Sequence, residues 1–290
     1  MTKPERVLVL GSSGRLGREL CHVLKGHGHH VLPHSTTGPH EFRANVLVQG
    51  SIRNLIARHR PSIIINTIAL TDVDRCELEP ELSDRVNVGP TREIREYVRE
   101  GNELRILHIS TDHLYGNEGP HTEMNVHILN QYALDKYRAE EQILDVGGVA
   151  FRTNFFGRSL DAKRPSYSDW LVSAARSGQE FHISDKIQFN PLRIRTLSDL
   201  VCKFMASGSC GIYNVGASSS MTKFEFATRF LSTVGESLEQ LRVLAPAERP
   251  FVPRPIDMRM DVSRIESALL IKMPSLIDEI EDEAKVYRNE

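Results

Sequence analysis

Cysteine, tryptophan and surplus charge are all scarce in this chain: four Cys, one Trp and a formal charge of −2 in 290 residues. The cysteines stand at 21, 76, 202 and 210, without metal-like spacing, and point to reduced thiols in a cytoplasm. A near-neutral charge leaves no footprint for nucleic acid. No apolar run approaches the roughly 18 residues that a membrane helix needs. Met1 to Arg6 leads directly into an apolar strand, so no signal peptide is expected. The histidine cluster HGHH at 27–30 has no carboxylate or cysteine at ligand spacing, reads as a solvated turn, and gives no metal site. Internal repeats and low-complexity tracts are missing as well. What remains is an ordinary globular composition, 40% hydrophobic and 26% charged.

Within that composition the apolar residues are patterned. Val7 to Leu10 is a short continuous apolar run, as in a strand buried on both faces. Leu16, Leu20, Val23 and Leu24 then recur at helical spacing. Between them lies GSSGRLG, residues 11–17. Gly11 permits a sharp turn, Gly14 lets a pyrophosphate approach the backbone, and Gly17 lets the helix pack close to the strand. The helix N-terminus adds free N–H groups for an anion. A tight turn without a ligand is the competing reading of these seven residues taken alone.

Further strands are expected at 29–36, 61–70, 104–111 and 148–154, with helices at 51–59, 81–100 and 128–144. Pro90 predicts a kink near Val88. The alternation is that of a doubly wound parallel sheet, a Rossmann-type α/β fold. After Asn154 it breaks, and 155–182 and 220–290 read mostly as helices and loops. GIYNVG at 211–216 reads as a short strand of a second sheet. The expected division is an NAD(P)-binding domain over 1–154, with later strands around 183–215 contributing, and a smaller, mainly substrate-binding α/β domain over 155–290.

Tyr132 and Lys136 are spaced i, i+4, which puts both on one helix face. An ammonium near a phenol lowers its pKa and makes it a usable acid or base. The spacing arises by chance in many helices, but here it follows ISTDHLYG (109–116) by about 20 residues. That stretch ends a strand, at the carboxyl edge where open α/β sheets bind ligands. Thr111 there can hydrogen-bond the same carbonyl oxygen that Tyr132 protonates.

Together, G-x-x-G-x-x-G at 11–17, S-T-D at 110–112 and Y-x-x-x-K at 132–136 resemble the extended short-chain dehydrogenase/reductases. More closely, the chain resembles the dTDP-4-dehydrorhamnose reductases. That likeness rests on IINTIALTDVDRCE (64–77), VN (86–87), GIYNVG (211–216), TKFEFATRFL (222–231) and RPIDMRMDVSRIE (254–266). The resemblance implies hydride transfer from NADPH or NADH to C4 of a nucleotide-linked 4-keto-6-deoxy sugar, in deoxysugar or polysaccharide synthesis. It makes Tyr132 the proton donor, gives Lys136 the nicotinamide ribose and a lowering effect on the Tyr132 pKa, and lets Thr111 orient the carbonyl. Gly11, Ser13, Gly14, Arg15, Leu16, Gly17, Ser35 and Ala69 join Tyr132 and Lys136 as cofactor residues. Thr71, Val73, Asp112, Asn154, Phe155, Arg193 and Arg254 fall to the sugar nucleotide. Asn87 resembles an asparagine that supports a relay water, with a capping or core amide as the other reading.

Several positions narrow the chemistry. The related 4,6-dehydratases require a glutamate base where this chain has His113, which disfavours dehydration. DKIQFNPL (185–192) departs from the family's substrate loop, so the sugar is expected to differ. PHSTTG (33–38) carries no acid for a ribose 2′-hydroxyl, whereas Arg15 and Ser35 suit a 2′-phosphate. NADP(H) is therefore preferred and NAD(H) possible. Arg193, Arg195 and Arg254 offer forked donors for a diphosphate, with surface ion pairs as the alternative. Two other functions stay open: a regulatory binding subunit like the beta subunit of methionine adenosyltransferase, which resembles the same reductases, and a nucleotide-sugar epimerase. No nucleic-acid or membrane partner is expected, and a homodimer is possible.

Overall fold

The computed structural model describes residues 3–36, 42–116, 118–244 and 251–288. Six parallel strands form the central sheet: β1 (Arg6–Leu10), β2 (His30–His34), β3 (Ile63–Asn66), β4 (Arg105–Ile109), β5 (Val149–Thr153) and β6 (Gly211–Val215). Their spatial order is β6-β5-β4-β3-β1-β2. The chain winds one way from β1 to β2 and the other way from β3 onward, so its direction switches between β1 and β3. Ligands of open α/β sheets sit at the carboxyl ends of such a switch point.

Successive side chains of a strand face opposite sides. Val7 and Val9 pack with Leu16, Leu20 and Leu24 of α1 (Arg15–Gly26) and with Leu197 and Val201 of the helix Ile194–Phe204. Leu8 and Leu10 pack on the other face with Ile52, Leu55 and Ile56 of the helix Ser51–His59, Ile94 and Ile143. The first of these cores continues into the later half of the chain, where Phe226 packs against Phe156 and Phe230. Among the described residues, no helix is long and apolar enough to cross a membrane.

Three sequence expectations are corrected. GIYNVG does not start a second sheet: Gly211–Val215 pairs with β5 in register Gly211↔Val149 and closes one edge of the main sheet. Tyr213 secures it by packing on Phe151 and Phe204. The expected helix over 81–100 is two helices, Pro80–Asn87 and Gly89–Arg99, meeting at Val88. Pro90 enters at the start of the second, where a missing N–H costs nothing. The third strand is also shorter than expected. It ends at Asn66, whose Oδ1 accepts from Ile68 N at 3.1 Å and turns the chain out of the ladder.

The helix Gln131–Leu144 lies over β4 and β5, held by an ion pair inside the protein. Arg152 Nη2 meets Glu140 Oε2 at 2.7 Å, with the side chains 0% and 1% exposed. Removing one partner strands the other charge in the core. Glu140→Gln is expected to cost about 3–5 kcal/mol, read as a lowered urea midpoint. A loss within about 0.5 kcal/mol, the range of an ordinary surface change, would mean that the pair is dispensable.

Candidate active site

β1 ends in a turn that only glycine fits. Gly11 has φ +82°, and a Cβ there would lie 2.8 Å from Thr67 Oγ1. A Cβ on Gly17 would meet the Gly11 carbonyl oxygen at 2.3 Å, so the first turn of α1 lies directly on the loop. β2 fixes the turn from the side. Ser12 N and Oγ donate to the His34 carbonyl at 2.9 and 2.8 Å. His34 Nδ1 accepts from Gly11 N at 3.3 Å, while its Nε2 donates to the Ala44 carbonyl at 3.0 Å. Burial holds this ring's pKa below its usual value, in keeping with the neutral form those bonds need. Gly14 is the N-cap of α1, with no capping side chain and no acid in the first turn. The orphan N–H groups of that end remain for a ligand.

A cavity of about 510 Å³ opens over the glycine turn and the carboxyl ends of β3, β4 and β5. It is lined by Gly14, Arg15, Leu16, Gly17, Thr67 and Ala69 on one side, and by Thr111, Tyr132, Lys136, Asn154 and Phe155 on the other. A second cavity, about 400 Å³, adjoins it and contains Val73, Ile187, Lys223 and Arg254. Thr71 and His113 line both.

Asn130 caps the helix that carries the tyrosine and lysine, its Oδ1 accepting from Ala133 N at 2.9 Å. Burial pushes the Tyr132 phenol well above its usual pKa, and a hydrogen bond with Thr111 works against that rise. The expected lowering by Lys136 is not what governs this phenol. Lys136 Nζ donates to the Ile109 carbonyl at 2.6 Å and lies 3.2 Å from His108 Nε2. Its own pKa is pulled down to about 8 by burial. Asp112 is pushed up to about 6 by burial, although Asn154 Nδ2 donates to its Oδ2 at 2.8 Å. Burial, with Lys223 and Arg254 nearby, brings His113 down to about 4.

Not every predicted residue reaches a cavity. Ser13 offers its carbonyl to Arg18 and Arg164. Ser35 is buried, bridges to Arg43 and lines neither cavity. Thr37 and Gly38 of the same motif lie outside the described residues. Arg193 is turned away, paired with Glu283 and Asp282 at 3.2 Å each on the C-terminal helix Leu276–Arg288. Arg195 pairs with Glu19 and Asp199. Arg15 donates to the Pro165 carbonyl at 3.1 Å and lies 6.0 Å from the Phe155 ring centre. Asn87 is a core amide that accepts from Leu70 N at 2.8 Å and donates to Ser83 at 3.1 Å, pinning the wall around 67–71. Sequence reasoning overlooked Thr67, His34 and Lys223. Lys223 had one available signal: it is the first residue of a helix, inside the capping box Thr222-x-x-Glu225, where its side chain leaves the helix at its N-terminal end.

The carboxyl of Asp112 ties stability to pH. Its pKa is raised from 3.8 to about 6, so the folded chain holds a proton that the unfolded chain has released between those values. Wild-type stability relative to Asp112→Asn is therefore expected to fall as pH rises from about 4 to about 6, by at most about 3 kcal/mol. Urea denaturation of both proteins at pH 4.5 and 6.5 measures it. A constant difference between them would mean an ordinary carboxyl.

Comparison with known proteins agrees with this architecture. The chain is 28% identical over 271 residues to the spore coat polysaccharide biosynthesis protein SpsK of Bacillus subtilis, covering 91% of each. It is 25% identical over 274 residues to methionine adenosyltransferase 2 subunit beta of Xenopus laevis, covering 90% of this chain and 81% of that one. The structure of dTDP-4-dehydrorhamnose reductase from Bacillus anthracis in complex with NADP superposes with a TM-score of 0.85 at 20% identity, over 97% and 99% of the two chains. Residues 5–288 match the RmlD substrate binding domain family, and the chain belongs to that family.

Proposed function

We propose that this chain is an NAD(P)H-dependent reductase of a nucleotide-linked 4-keto-6-deoxy sugar, serving deoxysugar or polysaccharide synthesis. The observation that carries the reading is the meeting of Thr111, Tyr132 and Lys136 in a cavity that continues to an uncapped helix N-terminus. A dinucleotide suits that cavity: α1 offers backbone donors for a pyrophosphate, and Gly14 and Gly17 line the cavity at that end. The sheet side then holds the cofactor, and residues from 155 onward hold much of the sugar nucleotide.

When bound, the reduced nicotinamide supplies a hydride to the carbonyl carbon. Tyr132 gives its phenolic proton to the oxygen that becomes the alcohol, and its raised pKa keeps that proton in place at neutral pH. Thr111 holds the same oxygen by a hydrogen bond. Lys136 reaches the nicotinamide ribose. General acid catalysis contributes about 10²- to 10⁴-fold, so Tyr132→Phe should lose that much kcat while NADPH affinity stays nearly intact. Lys136→Met should lose rate and affinity together. NADPH oxidation at 340 nm across a panel of 4-keto nucleotide sugars is the assay. Were wild type to bind NADPH, reduce none of them, and behave like Tyr132→Phe, a regulatory role like that of the adenosyltransferase beta subunit would replace the reductase.

We also propose that NADP(H) is preferred. The end of β2, His34-Ser35-Thr36, supplies no carboxylate for a ribose 2′-hydroxyl, and Arg15 stands at the mouth of the glycine turn. Titration should give tighter NADPH than NADH binding, and Arg15→Ala should narrow the gap by about tenfold, the scale of one charge-assisted contact. A wild-type preference for NADH, or NADPH affinity indifferent to Arg15→Ala, would remove Arg15 from the site.

A further inference from the structure

We propose that His113 reads the substrate, its imidazole pairing with the sugar hydroxyl on the ring carbon next to the reacting carbonyl. The inference rests on the reductase reading and adds to it the feature of the sugar that this chain selects.

His113 follows Thr111 and Asp112 in a single 3₁₀ turn, and its backbone N–H is held by Thr111 Oγ1 at 3.2 Å. The turn places the ring edge-on to Tyr132, with centroids 5.6 Å apart and planes at 86°. The ring lines both cavities, so a sugar lying between them passes it. Its Nδ1 is buried and has no hydrogen-bond partner. Of the polar side chains beside it, Asp112 is engaged by Asn154 and Arg254 by Asp74. Buried nitrogens are nearly always bonded, and an orphan beside a cavity points to a partner that the chain itself does not provide.

The chemistry of the partner follows from the charges nearby. Burial, assisted by Lys223 and Arg254, holds the ring in its neutral form, with one donor and one acceptor nitrogen. A hydroxyl, which both donates and accepts, complements such a ring, whereas a phosphate would complement the cations beside it. Contact with the Tyr132 ring confines His113 to groups close to the carbonyl that Tyr132 protonates. In a 4-keto-6-deoxy sugar one neighbouring carbon, C5, bears a methyl group, and the other, C3, bears a hydroxyl. His113 therefore pairs with the C3 hydroxyl.

The test pairs two substrates with two variants. The substrates are a dTDP-linked 4-keto-6-deoxyhexose and its 3-deoxy analogue, both assayed with NADPH. His113→Phe keeps a ring against Tyr132 and removes both nitrogens, while His113→Asn keeps a polar atom near the position of Nδ1. His113→Phe should lower kcat/KM about 10- to 100-fold on the 3-hydroxy sugar, the scale of one buried hydrogen bond, and less than about threefold on the 3-deoxy sugar. His113→Asn should recover part of the loss, with NADPH affinity unchanged throughout. An equal loss on both sugars would make His113 a packing residue, and no loss on either would remove it from the site; both outcomes overturn the proposal. If wild type reduces neither sugar nor any other of the panel, the reductase reading itself has failed, which is distinguishable because wild type alone reveals it.

Discussion

The buried pair of Arg152 and Glu140 fixes how the helix of Tyr132 and Lys136 sits against the strand end that carries Thr111. Glu140 stands four residues beyond Lys136 and eight beyond Tyr132, so all three lie on one face of one helix. Arg152 comes from β5, and Ser110, whose hydroxyl donates to Glu140, directly follows β4 and precedes Thr111. One carboxylate thus sets the helix of Tyr132 and Lys136 against the strand end of Thr111. The network continues through Tyr115 to Asn214 on β6, and from Asn214 to the carbonyls of His121 and Asp261. A buried ion pair is a poor source of net stability, because desolvation offsets most of the attraction. Its value here is directional: hydrogen bonds with fixed angles restrain rotation of the helix about its axis, which apolar packing does weakly.

That dryness has a second consequence. The burial that makes the pair rigid also pushes Tyr132 up and Lys136 down. Burial therefore keeps the phenol protonated at neutral pH, and Lys136, engaged with the Ile109 carbonyl, does not offset that rise.

Features set by neighbours along the chain are legible from the amino-acid sequence. The strand–turn–helix at 6–26 follows from an apolar run, three glycines and a 3.6-residue stripe, and Tyr132 and Lys136 share a face by spacing alone. Features set by distant partners are not. Arg193 looks like any free arginine, and only the fold brings Asp282 and Glu283 to it from about 90 residues away. Ser35 follows β2 where a 2′-phosphate is expected, yet it is buried. GIYNVG is too short for its pattern to say which sheet it joins, and pairing with β5 decides that. His34 is unreadable for the same reason, since its role is to satisfy backbone groups of a turn 22 residues earlier.

The two sides of the site are built from different materials. The glycine-turn side is made of backbone: N–H groups, a φ that only glycine tolerates, and a helix lying on a carbonyl. Few substitutions leave such a surface intact. The other side is made of side chains from separate segments, Thr71 and Val73 after β3, His113 after β4, Lys223 opening a helix, and Arg254 paired with Asp74 at 2.9 Å. Each can change without moving the sheet, because none of them carries a hydrogen bond of the central ladder. Chemistry fixed by the fold and selectivity carried by replaceable side chains thus meet at His113, the residue directly after Thr111 and Asp112.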